Sequence, residues 1–146
     1  PGYNVRPTEI AAAVGLVQLG KLDAALEQRR RNAAEFKRLF AGDWRFRTQI
    51  ELPGAKSSWF GFTIIPTEAP RNQFLEPMRR AGIEFRQITC GNFLQHPAAT
   101  HYDHEVFGDG CPNAQRAHNQ GFFVGNHPID LAPQLARLRE VLEEAV

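Results

Sequence analysis

A helix at the start of the chain is predicted by the stretch Gly2-Tyr3-Asn4-Val5-Arg6-Pro7-Thr8-Glu9-Ile10 and by the alanine- and leucine-rich run that follows it, Ala11 to Phe40. Thr8 is a good N-cap, because its hydroxyl can accept a hydrogen bond from a free N–H group of the first helical turn. Glu9 then falls where the helix dipole favours negative charge. Together these signals predict one long N-terminal helix, bent at one of its glycines.

The two halves of this helix differ in composition. Ile10–Leu19 contains almost only apolar residues and glycine, which predicts burial on most sides. Gly15 and Gly20 each lower helix stability by about 1 kcal/mol relative to alanine, which suggests that another backbone packs close to them. The second half is amphipathic, and the triplet 29–31 (Arg-Arg-Arg) lies mostly outside its apolar face. The triplet therefore predicts a solvated surface, with a salt bridge to a partner subunit as the alternative.

The remaining segments predict a small sheet with helices on one face. Strands are expected at 45–52, 58–65, 83–87 and 122–124, and helices at 70–81, 112–119 and 131–144, the last capped by Asp130. The loop between residues 88 and 110 is longer than a compact domain normally contains without a functional reason. The sequence thus predicts a single α/β (α+β two-layer) domain over residues 1–146.

Composition excludes several classes of function. The chain has 17 basic and 16 acidic residues and a net charge of +1, so no overall field attracts nucleic acid or a membrane surface. No apolar run approaches the length of about 20 residues that a membrane-spanning helix needs. The first residues do not have the pattern of a signal peptide, and two cysteines are too few for a disulfide framework. We therefore expect a cytoplasmic protein with no nucleic-acid or membrane partner.

Five side chains of the types that bind zinc lie in and around the long loop, namely His96, His101, His104, Cys90 and Cys111. Their spacing matches no C-x₂-C or H-x₃-H template. We expect no metal in this chain, and a small metal-binding domain is kept only as an alternative.

A series of short motifs in the second half of the chain is informative together with the opening stretch. In order along the chain they are Gly91-Asn92-Phe93, Tyr102-Asp103-His104-Glu105-Val106, Gly108-Asp109, Pro112-Asn113-Ala114 and Gly121-Phe122-Phe123-Val124-Gly125-Asn126-His127. This pattern resembles the DegT/DnrJ/StrS family of pyridoxal-phosphate (PLP) enzymes, which modify nucleotide sugars, and is most like its 4-keto-6-deoxysugar 3-dehydratase branch. The resemblance covers essentially the whole chain. It implies the small C-terminal domain of a PLP enzyme of fold type I, without the large cofactor-binding domain.

The resemblance assigns roles to five residues. In the family, the residue that matches Asn4 reaches across a dimer to the PLP phosphate of the other subunit, and an uncharged amide can donate to such an oxygen. Arg6 is implied near the same partner site. The alternatives are a turn residue for Asn4 and a solvated side chain for Arg6. Asn92, Phe93 and His127 are implied contacts to the nucleotide sugar, and the alternative for His127 is a polar residue that fixes a turn.

The resemblance implies no catalytic residue in this chain. Lys21, Lys37 and Lys56 are its only lysines, and none has the sequence context of the family's cofactor lysine. PLP is therefore expected in the full-length enzyme and not on this chain alone.

The function implied is that of a segment, inactive alone, of a homodimeric PLP enzyme. The complete enzyme would remove the 3-hydroxyl of a 4-keto-6-deoxy nucleotide sugar in deoxysugar or lipopolysaccharide O-antigen biosynthesis. The alternatives are a nucleotide-sugar aminotransferase of the same family and a free-standing, non-catalytic module for dimerisation or binding. Without the large domain, Ile10–Leu19 should be partly uncovered and should favour association.

Overall fold

The N-terminal region forms two helices, where the sequence predicted one. The structure, a computed structural model, describes residues 8–88 and 90–146. In it α1 spans Glu9–Leu19 and α2 spans Leu22–Phe40. Thr8 caps α1 as predicted, since its Oγ accepts a hydrogen bond from the Ala11 N–H at 3.2 Å. The interruption follows α1 at Gly20, so the expected bend is a break between two helices.

α1 exposes its apolar side chains. None of its residues is buried, and Ile10 and Leu16 are 79% and 72% exposed. The prediction that Ile10–Leu19 is buried is therefore wrong for this chain taken alone. The exposure agrees with the expectation that this stretch is partly uncovered in the chain alone.

A four-stranded sheet lies at the centre of the described part of the chain. Its strands are β1 (Phe46–Thr48), β2 (Gly61–Pro66), β3 (Arg86–Gln87) and β4 (Phe122–Gly125). They lie in the order β1-β2-β4-β3, and all neighbours are antiparallel. All four predicted strands are present, although the first three are shorter than predicted.

β1 ends early because a side chain replaces the backbone in the pairing with β2. Gln49 follows β1, and its Nε2 donates to the Gly61 carbonyl oxygen at 2.7 Å. Its Oε1 accepts from the Thr63 N–H. These contacts satisfy the β2 backbone groups that a longer β1 would otherwise have paired.

The other helices lie close to their predicted positions. They are α3 (Asn72–Arg80), α4 (Pro112–Gln120) and α5 (Ala132–Glu144). The loop before α4 contains two short 3₁₀ helices, Phe93–Gln95 and Pro97–His101. The predicted cap of α5 is wrong: its N-cap residue is Leu131, with no side-chain capping bond, although Asp130 Oδ1 accepts from the Ala132 N–H at 3.0 Å. No helix of the described ranges is both long enough and apolar enough to cross a membrane.

The core lies between one face of the sheet and helices α2, α3 and α5. Phe36 of α2 stacks on Phe62 of β2 with ring centroids 4.6 Å apart and an interplanar angle of 12°. Phe36, Phe62, Ile64 and Phe122 are completely buried. This arrangement confirms the predicted α+β domain with helices on one face of a small sheet.

Candidate functional site

The five residues to which the family resemblance assigned binding roles lie in separate parts of the chain. Asn4 and Arg6 lie outside the described residues, so their role stays a prediction. Asn92 and Phe93 belong to the loop between β3 and α4, whereas His127 follows β4.

Asn92 connects the loop to α4. It is 5% exposed, and its Nδ2 donates to Gln115 Oε1 of α4 at 2.8 Å. Its Oδ1 accepts from the Leu94 N–H at 3.1 Å, which caps the first 3₁₀ helix. Since both ends of its amide are bonded within the chain, Asn92 has an internal, positioning role. A direct contact from Asn92 to a substrate stays a prediction.

Gly91 allows the loop to approach α4 closely. A Cβ atom added at this position would lie 2.8 Å from the Cα and from the backbone N of His118. No side chain fits there unless backbone moves. The motif Gly91-Asn92-Phe93 therefore combines a close backbone approach, a side chain that connects the loop to α4, and a ring that is left at the surface.

Phe93 presents this ring next to a histidine. It is 52% exposed, and its ring lies parallel to the His96 imidazole, with an interplanar angle of 6° and centroids 6.0 Å apart. His96 Nδ1 accepts from the Ala98 N–H at 3.1 Å, so the neutral ring carries its proton on Nε2. Nε2 can then donate to a ligand beside Phe93. The sequence analysis considered His96 only as a metal ligand and missed this pairing.

The described residues contain no group of three or more histidine, cysteine or acidic side chains placed to hold a metal ion. His104 Nδ1 lies 2.8 Å from the Tyr102 carbonyl oxygen, and His96 Nδ1 is bonded to backbone. Cys90 and Cys111 are exposed, free thiols.

His127 lines a cleft of about 830 Å³ between α5, the segment that leads into β3, and the end of β4. Asn92 and Phe93 do not line this cleft. The lining side chains that matter most for its chemistry are Arg29, Phe60, Arg86, Phe123, His127 and Arg137. The cleft is thus both basic and aromatic.

A buried asparagine fixes the end of the cleft at which His127 lies. Asn126 is 3% exposed, and its Nδ2 donates to the carbonyl oxygens of Arg29 at 3.1 Å and Trp59 at 2.9 Å. Its backbone N–H donates to the Phe60 carbonyl oxygen at 3.2 Å. One residue therefore joins α2, the segment before β2, and the loop that carries His127.

A second buried asparagine continues this network. Asn32 of α2 is 2% exposed, and its Nδ2 lies within 3.0 Å of Asn126 Oδ1, His127 O and Ile129 O. Its Oδ1 accepts from the Leu131 N–H at 3.3 Å. The sequence analysis missed both asparagines. The available signal was a polar residue four positions before Phe36, on the face of α2 that helical periodicity places in the core.

The arginine triplet does not behave as one solvated surface. Arg30 and Arg31 are exposed, and Arg31 pairs with Glu27 at 2.8 Å. Arg29, by contrast, is half-buried and lines the cleft, and its Nε is buried with no hydrogen-bond partner among the described residues. The prediction is therefore wrong for Arg29, because one turn of a helix points successive side chains in different directions.

Comparison with known proteins identifies the family. The sequence model of the DegT/DnrJ/EryC1/StrS aminotransferase family matches residues 1–137. The chain is 40% identical over 148 residues to the GDP-4-keto-6-deoxy-D-mannose 3-dehydratase of Yersinia pseudotuberculosis, covering 99% of this chain and 37% of the relative. It is 32% identical over 134 residues to the lipopolysaccharide biosynthesis protein RfbH of Salmonella typhimurium, covering 87% of this chain and 30% of that protein.

A solved structure agrees with this assignment. The E. coli GDP-4-keto-6-deoxy-D-mannose-3-dehydratase with bound hydrated PLP matches with a TM-score of 0.87 and 40% identity, over 97% of this chain and 37% of that chain. The present chain thus spans little more than a third of the length of these proteins. The resemblance found in the sequence is confirmed, and the chain belongs to the DegT/DnrJ/EryC1/StrS aminotransferase family.

Proposed function

We propose that residues 1–146 form the C-terminal small domain of a PLP-dependent enzyme that removes the 3-hydroxyl of a 4-keto-6-deoxy nucleotide sugar. The observation that carries this proposal is the 40% identity to a GDP-4-keto-6-deoxy-D-mannose 3-dehydratase along 99% of the chain. The name of the Salmonella relative supports a place in lipopolysaccharide biosynthesis. The exposed thiols fit a reducing compartment, so the proposed location is the cytoplasm.

The side chains of this domain do not fit the role of holding PLP. The cofactor needs a positioned group that moves protons, and PLP itself supplies an electron sink when it is bound. Lys37 is held by Glu51 at 3.0 Å and lies 4.7 Å from the centroid of the Trp59 ring. Lys21 and Lys56 are exposed, at the break before α2 and in the segment before β2. We therefore place PLP in the large domain and propose that this chain alone does not bind it.

Within the proposed enzyme the small domain contributes binding groups. Phe93 presents an exposed ring to the sugar nucleotide, and Asn92 positions the loop that carries it. His127 is proposed as a further substrate contact. Asn4 and Arg6 are proposed to reach the cofactor phosphate of the other subunit of a homodimer.

The proposed reaction is tested with the complete enzyme. Given PLP, glutamate and a 4-keto-6-deoxy nucleotide sugar, it should release ammonia and a 3-deoxy product. Accumulation of an amino sugar would instead favour the aminotransferase. The 146-residue chain alone is the control: it should show no turnover and, after borohydride reduction, no PLP adduct on any of its lysines by mass spectrometry. The coding sequence upstream of Pro1 distinguishes a segment of an enzyme from a free-standing module.

The role of Asn4 is tested separately in the complete enzyme. Asn4→Ala removes a hydrogen bond to a charged phosphate, so PLP affinity should fall by about one to two orders of magnitude. Asn4→Asp should have a larger effect, because it places a negative charge against the phosphate. Equal PLP affinities for the wild type and both variants in a titration would leave Asn4 as a turn residue.

A further inference from the structure

The loop that carries Phe93 is hydrogen-bonded to α4 through the side chain of Gln115. Gln115 is half-buried, and its Oε1 accepts from Asn92 Nδ2 at 2.8 Å and from Gln95 Nε2 at 2.7 Å. Asn92 is almost completely buried, so water has little access to replace the first of these bonds. A buried donor left without an acceptor is costly, which makes the bond from Asn92 the stronger of the two attachments.

A third hydrogen bond fixes the orientation of the Gln115 amide. Its Nε2 donates to Asn119 Oδ1 at 2.9 Å, one helical turn further along α4. Without this bond the amide would be free to rotate and to turn its N–H₂ group toward the loop, where both partners are donors. The bond to Asn119 therefore keeps the oxygen of Gln115, and not the nitrogen, directed at Asn92 and Gln95.

The two attached residues lie at the ends of one tight turn, residues 92–96. The Gln95 N–H donates to the Asn92 carbonyl oxygen at 3.1 Å. The His96 N–H donates to the Phe93 carbonyl oxygen at 2.9 Å. Phe93 and Leu94, which lie between the attached residues, are exposed. The turn is thus held on α4 at both ends and presents the Phe93 ring, with the parallel His96 imidazole, at the surface.

We propose that Gln115 is a positioning residue for the sugar-nucleotide substrate. It acts through Asn92 and Gln95 rather than by touching the ligand, and it keeps the Phe93 ring and the His96 Nε2–H in one place. This inference rests on the proposed function, in which Phe93 is a substrate contact. Groups that are ordered before a ligand arrives lose less conformational entropy on binding. Removing the Gln115 acceptor should therefore weaken substrate binding and leave the chemical step almost unchanged.

Steady-state kinetics of the complete enzyme with a 4-keto-6-deoxy nucleotide sugar test this role. Gln115→Met keeps the length of the side chain but removes the acceptor, so KM should rise about tenfold with little change in kcat. Gln115→Glu keeps oxygens that accept from both loop amides and should restore a KM near that of the wild type. Arg116→Met is the matched control, because Arg116 is exposed at the next position of the same helix, and its KM should be unchanged.

A second variant is available if Gln115→Met does not fold. Asn119 is exposed, so Asn119→Ala should keep the fold while freeing the Gln115 amide to rotate. Its KM should rise in the same direction by a smaller factor. Equal KM values for Asn119→Ala and the wild type would then overturn the proposal. A KM raised as much in Gln115→Glu as in Gln115→Met would also overturn it, because the effect would not depend on the acceptor.

Hydrogen exchange gives a measurement that does not depend on the reaction. The N–H groups of Gln95 and His96 close the turn, and they should exchange faster in Gln115→Met than in the wild type or Gln115→Glu, while exchange in β2 and β4 stays the same. Faster exchange in an enzyme that does not convert the sugar nucleotide would defeat the proposed function and leave Gln115 as the residue that holds the turn. Conversion of the sugar nucleotide with equal KM for the wild type and Gln115→Met, or equal exchange rates, would overturn the positioning role.

Discussion

At the level of single residues, two buried asparagines hold several elements of the fold together. Asn32 and Asn126 are both almost completely buried, and each bonds to several elements. Backbone groups buried between packed segments need hydrogen-bond partners, and these side-chain amides supply them. The loop with His127 and the cleft end near Arg29 are therefore set by side chains that carry no charge.

Asn126→Ala should destabilise the protein by roughly 2–3 kcal/mol, because the carbonyl oxygens of Arg29 and Trp59 lose their donor and stay buried. Urea unfolding should show a lower midpoint with an unchanged slope. Asn113→Ala is the control: Asn113 is exposed, and its replacement should change stability by less than about 0.5 kcal/mol. Equal midpoints for Asn126→Ala and the wild type would mean that water replaces the amide without cost.

A pair of glycine substitutions tests the packing of the Gly91 loop. Gly91→Ala should cost about 1–3 kcal/mol, since its Cβ would lie against the His118 backbone. Gly15→Ala should instead raise the helix content of α1, because nothing lies within 4 Å of that Cβ and alanine favours a helix by about 0.5–1 kcal/mol. Thermal unfolding tests Gly91→Ala, and circular dichroism of Gly15→Ala tests the helix content. A stable Gly91→Ala protein would show that the loop can move away from α4.

At the scale of elements, an ion-pair cluster joins the end of α2, β1 and α5. The Asp43 carboxylate accepts from the Arg45 Nε at 2.9 Å and Nη2 at 2.8 Å, and Arg139 of α5 also lies against it. The Asp43 side chain is 8% exposed. Hydrogen bonds from Arg45, and next from Arg139, hold the pKa of Asp43 well below its ordinary value.

The protein should therefore lose stability in acid through Asp43. The pKa is lower in the folded state, so its contribution is complete above the ordinary aspartate pKa of about 4 and is lost as pH falls through the folded value. Unfolding free energies measured from pH 6 downward should fall less steeply for Asp43→Asn, which should also be less stable at neutral pH. Glu140→Gln, in the exposed pair with Arg137, should follow the wild-type profile.

The sequence predicted the elements better than their ends. The helix start at Thr8 was predictable, since capping is a local interaction between residues that are close in the sequence. The end of β1 was not, because it depends on the Gln49 side chain reaching a strand twelve residues away. The same limit applies to Asn92: its motif placed it in the correct loop, but only the partners on α4 reveal its internal role.

For the molecule as a whole, the burial of a segment and the charge of a surface depend on which parts of the chain pack together, and the sequence alone does not show this. Apolar composition predicted a buried Ile10–Leu19, yet burial needs a partner surface, and the described chain provides none for α1. A net charge near zero gave no indication of the basic cleft, because net charge is summed over the whole chain and does not show how charges are distributed over its surface. Family membership, by contrast, was predictable, because it rests on motifs spread along the whole chain.

Association through α1 follows from its exposed side chains. The chain alone should form dimers or larger species, since Ile10, Val14 and Val17 are 79%, 56% and 60% exposed and lie on one side of the helix. Val14→Glu and Val17→Glu should shift the species toward monomer in light scattering at high concentration. Phe107→Glu is the control, because Phe107 is 96% exposed but lies in the loop before α4, outside α1. A monomeric wild-type chain would count against assembly through α1.

The break between α1 and α2 has a thermodynamic consequence. α1 has 11 residues, fewer than the roughly 12–15 that an isolated helix needs to persist in water, and no burial compensates for this. Its cap at Thr8 favours the first turn, but the rest of its order must come from whatever covers it. Docking of α1 would then be a coil-to-helix transition coupled to binding. Part of the interaction free energy would be spent on ordering the helix, so the contact would be highly selective for its partner without being correspondingly tight.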